Sequence, residues 1–382
     1  MSVAVVMLGI FAIVTTEILP IGLLTSIGSS FTVTDGMAGL MMTMPGILAA
    51  ISAPVITVAT ARIDRRLMLG VFLFALAVAN FLAAAAQDYW LVLVSRAVVG
   101  IVIGGFWSIG AGLAERLVPP EAVGRATAVI FCAVPLGSVL GVPAGTFIGE
   151  LAGWRMTFAG LGALALAVLV LLVLLVPPLP PLRPTRLSVL HSMFHNTNTR
   201  FALLLTFLIV LAHFGAYTYV TPFLQQVTGV SSGSLTALLL VFGAAGMVGN
   251  FLGGAGVARR PRSTFATAAG MIAAATLLLP VVGHHSIGVT VLLIVWGAAY
   301  GAVPVISQTW FAKAAPHAPE AATVLFTASF QATISLGALL GGLTVDGTSP
   351  STVMTGGGVI AALALIAVGA HFVRGPAWSG EA

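Results

Sequence analysis

Residues 3–24 read VAVVMLGIFAIVTTEILPIGLL, an apolar run interrupted near its centre by Thr15, Thr16 and Glu17. A stretch of about 20 apolar residues is what an α-helix needs to cross the hydrocarbon of a bilayer. Nothing in the run is basic, and the first Lys or Arg in the chain is Arg62. A solvated helix would surround a carboxylate with polar neighbours; here Glu17 stands among Ile, Leu and Val. A cleaved export signal is not expected, because no Lys or Arg precedes the run and Glu17 breaks its apolar core. The stretch predicts a retained spanning helix that carries an acid inside the membrane.

The whole chain follows the same pattern. Of its 382 residues, 59% are hydrophobic and 7% charged, with a mean hydropathy of +1.12. Soluble domains carry about 25% charged residues, so a soluble globular protein is excluded and a polytopic membrane protein is expected. One cysteine, Cys132, rules out an intramolecular disulfide. The net charge of +5 rests on few groups and reads as membrane topology, so no nucleic-acid partner is expected. Twelve apolar stretches lie near 3–24, 36–60, 67–86, 90–112, 124–149, 154–176, 200–224, 234–257, 264–283, 287–308, 320–343 and 352–373.

Orientation follows from Lys and Arg, which favour the cytoplasmic side. With the N-terminus inside, thirteen of the fifteen fall in cytoplasmic loops or the C-terminal tail, Arg155 falls outside and Arg96 lies within a span. Both termini are expected to be cytoplasmic. The longest connection divides the chain into an N-terminal six-helix bundle (1–176), a Pro-rich then amphipathic linker (177–199) and a C-terminal six-helix bundle (200–382). RIDRR (62–66) after the second span is echoed by ARRPR (258–262) after the eighth. Two six-span repeats around a basic linker form an architecture common among secondary transporters.

Other functions find little support. GxxxxGK[ST] is absent, so ATP hydrolysis is not expected. GGFWSIG (104–110) lies in an apolar span with no preceding strand and is discounted as a dinucleotide motif. HSMFH (191–195) lacks the Glu of a zincin, and the His284–His285 pair is weaker still, so no metal site is expected. The short loops hold no cluster of His, Asp or Glu that would make this an enzyme.

Several stretches resemble the major facilitator superfamily. SRAVVG (95–100) is similar to its Arg-containing fourth-helix motif, and GSVLGVPAG (137–145) to the fifth-helix motif of its drug:proton antiporters. TTEILPIGLL, the R-x-D-R-R loop, FWSI (106–109), GWRMTF (153–158) and AHFGAYTYVTPF (212–223) together resemble bacterial sugar efflux transporters of the arabinose-exporter type. These stretches fall in both halves. The resemblance implies an all-α membrane protein with twelve transmembrane helices in two pseudo-symmetric bundles. It also implies a bacterial cytoplasmic membrane, a monomer, and no cofactor beyond a proton gradient. The chain departs from the pattern in the loop after the second span, where Ala61 and Asp64 stand in place of the usual Asp and Gly. It departs again at Thr221, where some arabinose exporters carry an acid.

The polar residues inside spans are the functional candidates. An acid at a helix centre costs about 2.5–3.5 kcal/mol on insertion scales; a proton carrier explains that cost, and so does a buried structural acid. Glu17 and Arg96 are each expected about 10 Å from the outer ends of their spans, at 1.5 Å per residue. Arg96 is then either the ionic partner of Glu17 or a binder of main-chain carbonyls; in the resembling families the equivalent Arg is linked to proton coupling. His213, whose unperturbed pKa of about 6.5 suits a relay, is either a third coupling residue or a satisfied core histidine. Tyr217 lies one turn on from it.

Phe106, Trp107, Tyr217, Asn250, Trp296, Tyr300 and Gln331 are candidate cavity residues, with packing as the alternative. Gly137, Gly141 and Gly145, with Pro143, form a strip of small residues that lets helices approach closely and is a candidate gate. Gly246, Gly249 and Gly253 form a second strip, and Asp64 and Arg65 are candidates for the inner gate. The reading is a proton-coupled efflux antiporter for small neutral or amphiphilic molecules, with sugars or glycosides first. A chloramphenicol-type antibiotic exporter and an uncoupled uptake carrier are the alternatives.

Overall fold

The computed structural model describes residues 1–60, 62–110, 113–180, 196–314 and 319–374. Ala61, Arg183, Arg186 and the amphipathic HSMFH segment lie outside the described residues. No strand occurs among the described residues. Twelve helices are long and apolar enough to span a bilayer: α1 (Ser2–Ser30), α2 (Asp35–Ala59), α3 (Arg65–Ala84), α4 (Tyr89–Trp107), α5 (Arg125–Ala152) and α6 (Trp154–Leu175), followed by α7 (Thr197–Gln226), α8 (Gly233–Arg259), α9 (Pro261–Val282), α10 (Ser286–Lys313), α11 (Ala322–Gly347) and α12 (Pro350–Ala370).

Two helices differ from expectation in instructive ways. The apolar run of α1 ends at Leu24, but the helix continues to Ser30, where Ser29 and Ser30 turn their hydroxyls back onto the Ser26 carbonyl at 3.1 and 2.8 Å. Glu17 therefore lies about 20 Å from the helix end rather than the expected 10 Å. The helix α7 breaks after Tyr217 and resumes at Val220. Pro222 has no N–H to offer the Thr218 carbonyl, and the Thr218 hydroxyl bonds back to Phe214 O at 2.7 Å.

Each half builds its own core. Ile10, Ile13, Phe72, Ile103, Phe106 and Val168 meet in the first. Ile209, Phe214, Phe265, Trp296, Val303 and Met354 meet in the second. Trp90, Leu151, Val281 and Ile287 are exposed on the outside, as expected of a surface solvated by lipid.

Glycine sets the closest approaches. A Cβ on Gly249 would run into the Ala298 main chain, and one on Gly253 into Ala302, so α8 and α10 touch backbone to backbone. Gly137, Gly141 and Gly145 pack α5 onto Val14, Thr15 and Leu19 of α1. Here α5 widens into a π-helical turn, Gly137–Gly141. Pro143 follows this turn and has no N–H for the Val139 carbonyl.

The loops carrying Arg62, Arg65, Arg66, Arg116, Arg259, Arg260 and Arg262 mark one end of the bundle as basic. Several hydrogen bonds between described residues join the halves from mid-bundle to the opposite end. Near the middle, Ser335 Oγ donates to Thr43 O at 2.8 Å and Thr221 Oγ1 to Ile21 O at 2.7 Å. At the far end, Asp346 accepts from Thr34 Oγ1 at 2.6 Å and Gly36 N at 2.8 Å, capping α2 from the other half. Gln226 donates to Asp35 at 2.9 Å and Thr236 to Glu150 at 2.8 Å. A cluster containing Leu23, Ile27, Ala38, Tyr219 and Val345 fills the space beneath them.

Candidate functional site

The three consecutive polar residues of α1 point at three different helices. Thr15 packs on Gly141 of α5. The Thr16 hydroxyl accepts from Asn80 Nδ2 of α3 at 3.2 Å. Glu17 Oε1 accepts from Gln331 Nε2 of α11 at 2.9 Å, across the seam between the halves. A turn of 100° per residue on a straight helix produces this divergence, so one short polar stretch reaches both walls of its own bundle and the facing bundle. Glu17 is 8% exposed and Gln331 5%.

Arg96 meets α1 beside Glu17, but not in the form of an ion pair. Its three guanidinium nitrogens donate to main-chain carbonyls: Nε to Met41 O at 2.9 Å, Nη1 to Thr16 O at 2.7 Å and Nη2 to Glu17 O at 2.9 Å. The choice of carbonyls has a covalent cause. In an α-helix, the carbonyl of residue i−4 takes the N–H of residue i, and proline has none. Pro20 therefore frees Thr16 O in α1, and Pro45 frees Met41 O in α2. One fully buried arginine satisfies both orphans. Of the two roles the sequence leaves open for Arg96, the contacts are those of the carbonyl binder, and the hydrogen-bond partner of the Glu17 carboxylate is Gln331.

His213 sits in the second half inside an aromatic enclosure. Trp296 Nε1 donates to His213 Nδ1 at 3.1 Å, which assigns the proton of a neutral imidazole to Nε2. The Tyr300 ring stacks on it with centroids 3.3 Å apart and planes 3° apart, and Tyr217 lies 4.9 Å away on α7. Phe242 and Phe214 complete the surround. His213 is 1% exposed and Trp296 is fully buried, whereas Tyr217 and Tyr300 are half-buried. Tyr300 is also within electrostatic range of Glu17, so the aromatic group and the acid belong to one neighbourhood.

The other expected site residues are dispersed. Phe106 is 2% exposed in the first core, with its ring against Gly9. Trp107 is half-buried against the same core. Asn250 is half-buried on α8, beside the Gly249 contact. Asp64 caps α3, accepting from Arg66 N at 2.8 Å. Arg65 donates to Thr60 O at 3.0 Å within the first half, and its main-chain N to Leu179 O at 2.8 Å at the start of the linker. Asn80, Thr16, Thr43, Ser335 and Asp346 are participants that the sequence reading passed over. Asn80 was detectable as an amide within the apolar run of α3.

A family model described as Major Facilitator Superfamily matches residues 6–327. The "Probable sugar efflux transporter" of Helicobacter acinonychis is 31% identical over 366 residues, covering 96% of this chain and 93% of that one. The "Purine ribonucleoside efflux pump NepI" of Escherichia coli strain 536 is 30% identical over 337 residues, covering 87% and 85%. The "Transcription regulatory protein OpdE" of Pseudomonas aeruginosa strain PAO1 is 33% identical over 342 residues, covering 88% and 85%. Among solved structures, a bacterial homologue of the human lysosomal transporter Spinster, inward-facing and occupied, superposes with a TM-score of 0.76 at 16% identity, covering 98% and 96%. With its twelve apolar helices, its two cores and this match over most of its length, the chain belongs to the major facilitator superfamily of membrane transporters and is not an enzyme.

Proposed function

We propose that this protein is a proton-coupled efflux antiporter for small neutral molecules bearing a sugar, free sugars and glycosides including ribonucleosides, with Glu17 as the proton carrier. The observation that carries the reading is the Glu17 carboxyl at mid-membrane, held across the seam by Gln331 at 2.9 Å. A carboxyl bonded to the opposite half changes its surroundings whenever the halves rearrange. That is what a group needs if it is to take a proton from one side and release it to the other. An uncoupled uptake carrier has no use for an acid at this level. The relatives named as sugar and purine ribonucleoside exporters support the substrate class. The half-buried Tyr217 and Tyr300 add aromatic surface of the kind that sugars and bases pack against.

The basic end is cytoplasmic by the excess of arginine, so the hydrogen bonds that join the halves lie toward the outer side, which supports an inward-facing form. Substrate enters from the cytoplasm while Glu17 is ionised. After the halves exchange gates, Glu17 takes a proton from the acidic exterior as substrate leaves, and the return step delivers that proton inside. Arg96 acts through the main chain, fixing α1 and α2 on either side of their prolines so that Glu17 keeps its height. His213 accepts the Trp296 N–H, a role that imidazolium cannot fill. It therefore orients the aromatic wall.

The test uses proteoliposomes with an imposed proton gradient, offered arabinose, inosine and chloramphenicol in turn. Wild type is expected to accumulate arabinose or inosine, and Glu17→Gln to lose gradient-driven accumulation while retaining exchange without a gradient. Undiminished coupled flux in Glu17→Gln would overturn the assignment. Transport of chloramphenicol alone would overturn the substrate class.

A further inference from the structure

We propose that Gln331 converts the protonation state of Glu17 into a change of hydrogen-bonding character at the substrate site, by turning its side-chain amide over. The inference rests on the reading of Glu17 as the proton carrier. A carboxylate only accepts hydrogen bonds, so an ionised Glu17 requires the NH₂ of Gln331, as observed. The amide oxygen is then left pointing elsewhere, and Gln331 Oε1 is buried without a hydrogen-bond partner. Once Glu17 is protonated on Oε1, the oxygen that faces Gln331, its O–H donates and calls for the amide oxygen. The two ends of the amide exchange places, and the orphaned acceptor becomes a pair of N–H donors. No bond other than these hydrogen bonds is made or broken.

The surroundings confine Gln331 to this one freedom. Its main chain is clamped against α2, where a Cβ on Gly46 would lie 2.6 Å from the Gln331 carbonyl oxygen. Ser335, one turn on, is committed to Thr43 O. The titratable groups near Glu17 are Arg96 on α4 and Tyr300 on α10, with His213 and Tyr217 on α7 behind the Tyr300 ring. Thr43 from α2, Asn80 from α3 and Gln331 from α11 are neutral. Arg96 directs its three nitrogens at main-chain carbonyls, so among the described hydrogen bonds the one that reverses when the proton settles on Glu17 Oε1 is that to Gln331.

For a substrate the reversal matters. In the ionised state the site offers an acceptor, which suits a sugar hydroxyl or a base N–H donating to Gln331 Oε1. In the protonated state the same donor faces two N–H groups and loses its partner. An unmet buried polar group lowers affinity by about tenfold or more. Gln331 is thus a positioning and specificity residue that binds substrate tightly inside and loosely outside.

Infrared difference spectra of the purified protein, acid minus alkaline, read both partners without a substrate. Wild type is expected to show a protonated-carboxyl band that Glu17→Gln removes, together with a glutamine amide band that moves in step and is lost in Gln331→Met. The carboxyl band should persist in Gln331→Met at a displaced frequency. In Gln331→Glu, two facing carboxyls should take up protons in two separated steps. If no Glu17-dependent carboxyl band appears, the proton-carrier reading falls and takes this inference with it. If that band appears but is unmoved by Gln331→Met, or no amide band accompanies it, the switch alone is overturned. Inosine and arabinose affinities at acidic and alkaline pH should differ by about tenfold in wild type and converge in Gln331→Met. A ratio retained in Gln331→Met separates Gln331 from substrate and overturns the proposal.

Discussion

If Arg96 is a stopper for proline-freed carbonyls, its energetic worth depends on the prolines, and a double-mutant cycle exposes that dependence. Arg96→Leu strips the donors from Thr16 O and Met41 O, neither of which has a helical N–H of its own. A buried polar group left unmet costs about 1–3 kcal/mol, so the two carbonyls together predict a loss of about 2–6 kcal/mol. Pro20→Ala restores an N–H at position 20 for Thr16 O. In that background, Arg96→Leu should cost about 1–3 kcal/mol less than in wild type. Pro54→Ala is the control, because Pro54 frees a carbonyl that Arg96 does not touch; it should add to Arg96→Leu within about 0.5 kcal/mol. Reversible unfolding in mixed micelles supplies the free energies. Additivity between Arg96→Leu and Pro20→Ala, within the same margin as the control, would refute the reasoning and return Arg96 to a purely ionic role.

Two further outcomes follow from the seam and the cores. Asp346→Ala removes the cap on α2 from the facing half and should shift the population toward outward-open by roughly fivefold, as for about 1 kcal/mol of hydrogen bonding; spin labels at Thr32 and Gly347 should report longer distances, and an unchanged distribution would refute the gate. Gly249→Leu drives a side chain into the Ala298 main chain and should abolish folded protein in membranes. Gly160→Leu, with open space around it, should leave the yield unchanged, and equal yields of the two variants would refute the backbone contact.

The fold was largely legible because a bilayer imposes a coarse code. Apolar length gave the twelve spans, and arginine placement gave their alternation. The code is silent where hydroxyl or proline chemistry overrides hydropathy. The six residues of α1 beyond Leu24 are held by Ser29 and Ser30 bonding back to the helix, and the α7 break is set by Thr218 and Pro222. At the site, Glu17, Arg96, His213 and Gln331 stood out as polar residues in apolar runs. Which of them would pair did not, since the Glu17–Gln331 contact joins residues 314 apart. The burial of Phe106 in the first core was not legible, because adjacent residues on a helix point about 100° apart and the sequence does not say which of Phe106 and Trp107 faces the core. The Arg96 contacts were deducible in part: Pro20 and Pro45 each announce a carbonyl four residues back that needs a donor.

The two kinds of helix contact explain how such a chain can both hold its shape and change it. Within a half, α8 meets α10 and α5 meets α1 through glycine, at distances where a methyl group does not fit. Such surfaces have no second arrangement nearby, because sliding by one residue replaces a glycine with a side chain. Between the halves there are glycine contacts too, such as Gly46 on Gln331 O, but the polar links are single hydrogen bonds, buried from Thr221 to Ile21 O and from Ser335 to Thr43 O and exposed at Asp346 and Gln226. An exposed hydrogen bond exchanges with water at little net cost, so the exposed links add little resistance to opening. Glu17 and Gln331 form the buried link across the seam in which one partner can ionise. Separating them leaves two desolvated groups unmet unless a proton or a substrate takes the vacant place. In the proposed cycle, that requirement makes reorientation conditional on one or the other being bound, and so ties the movement of substrate to the movement of protons.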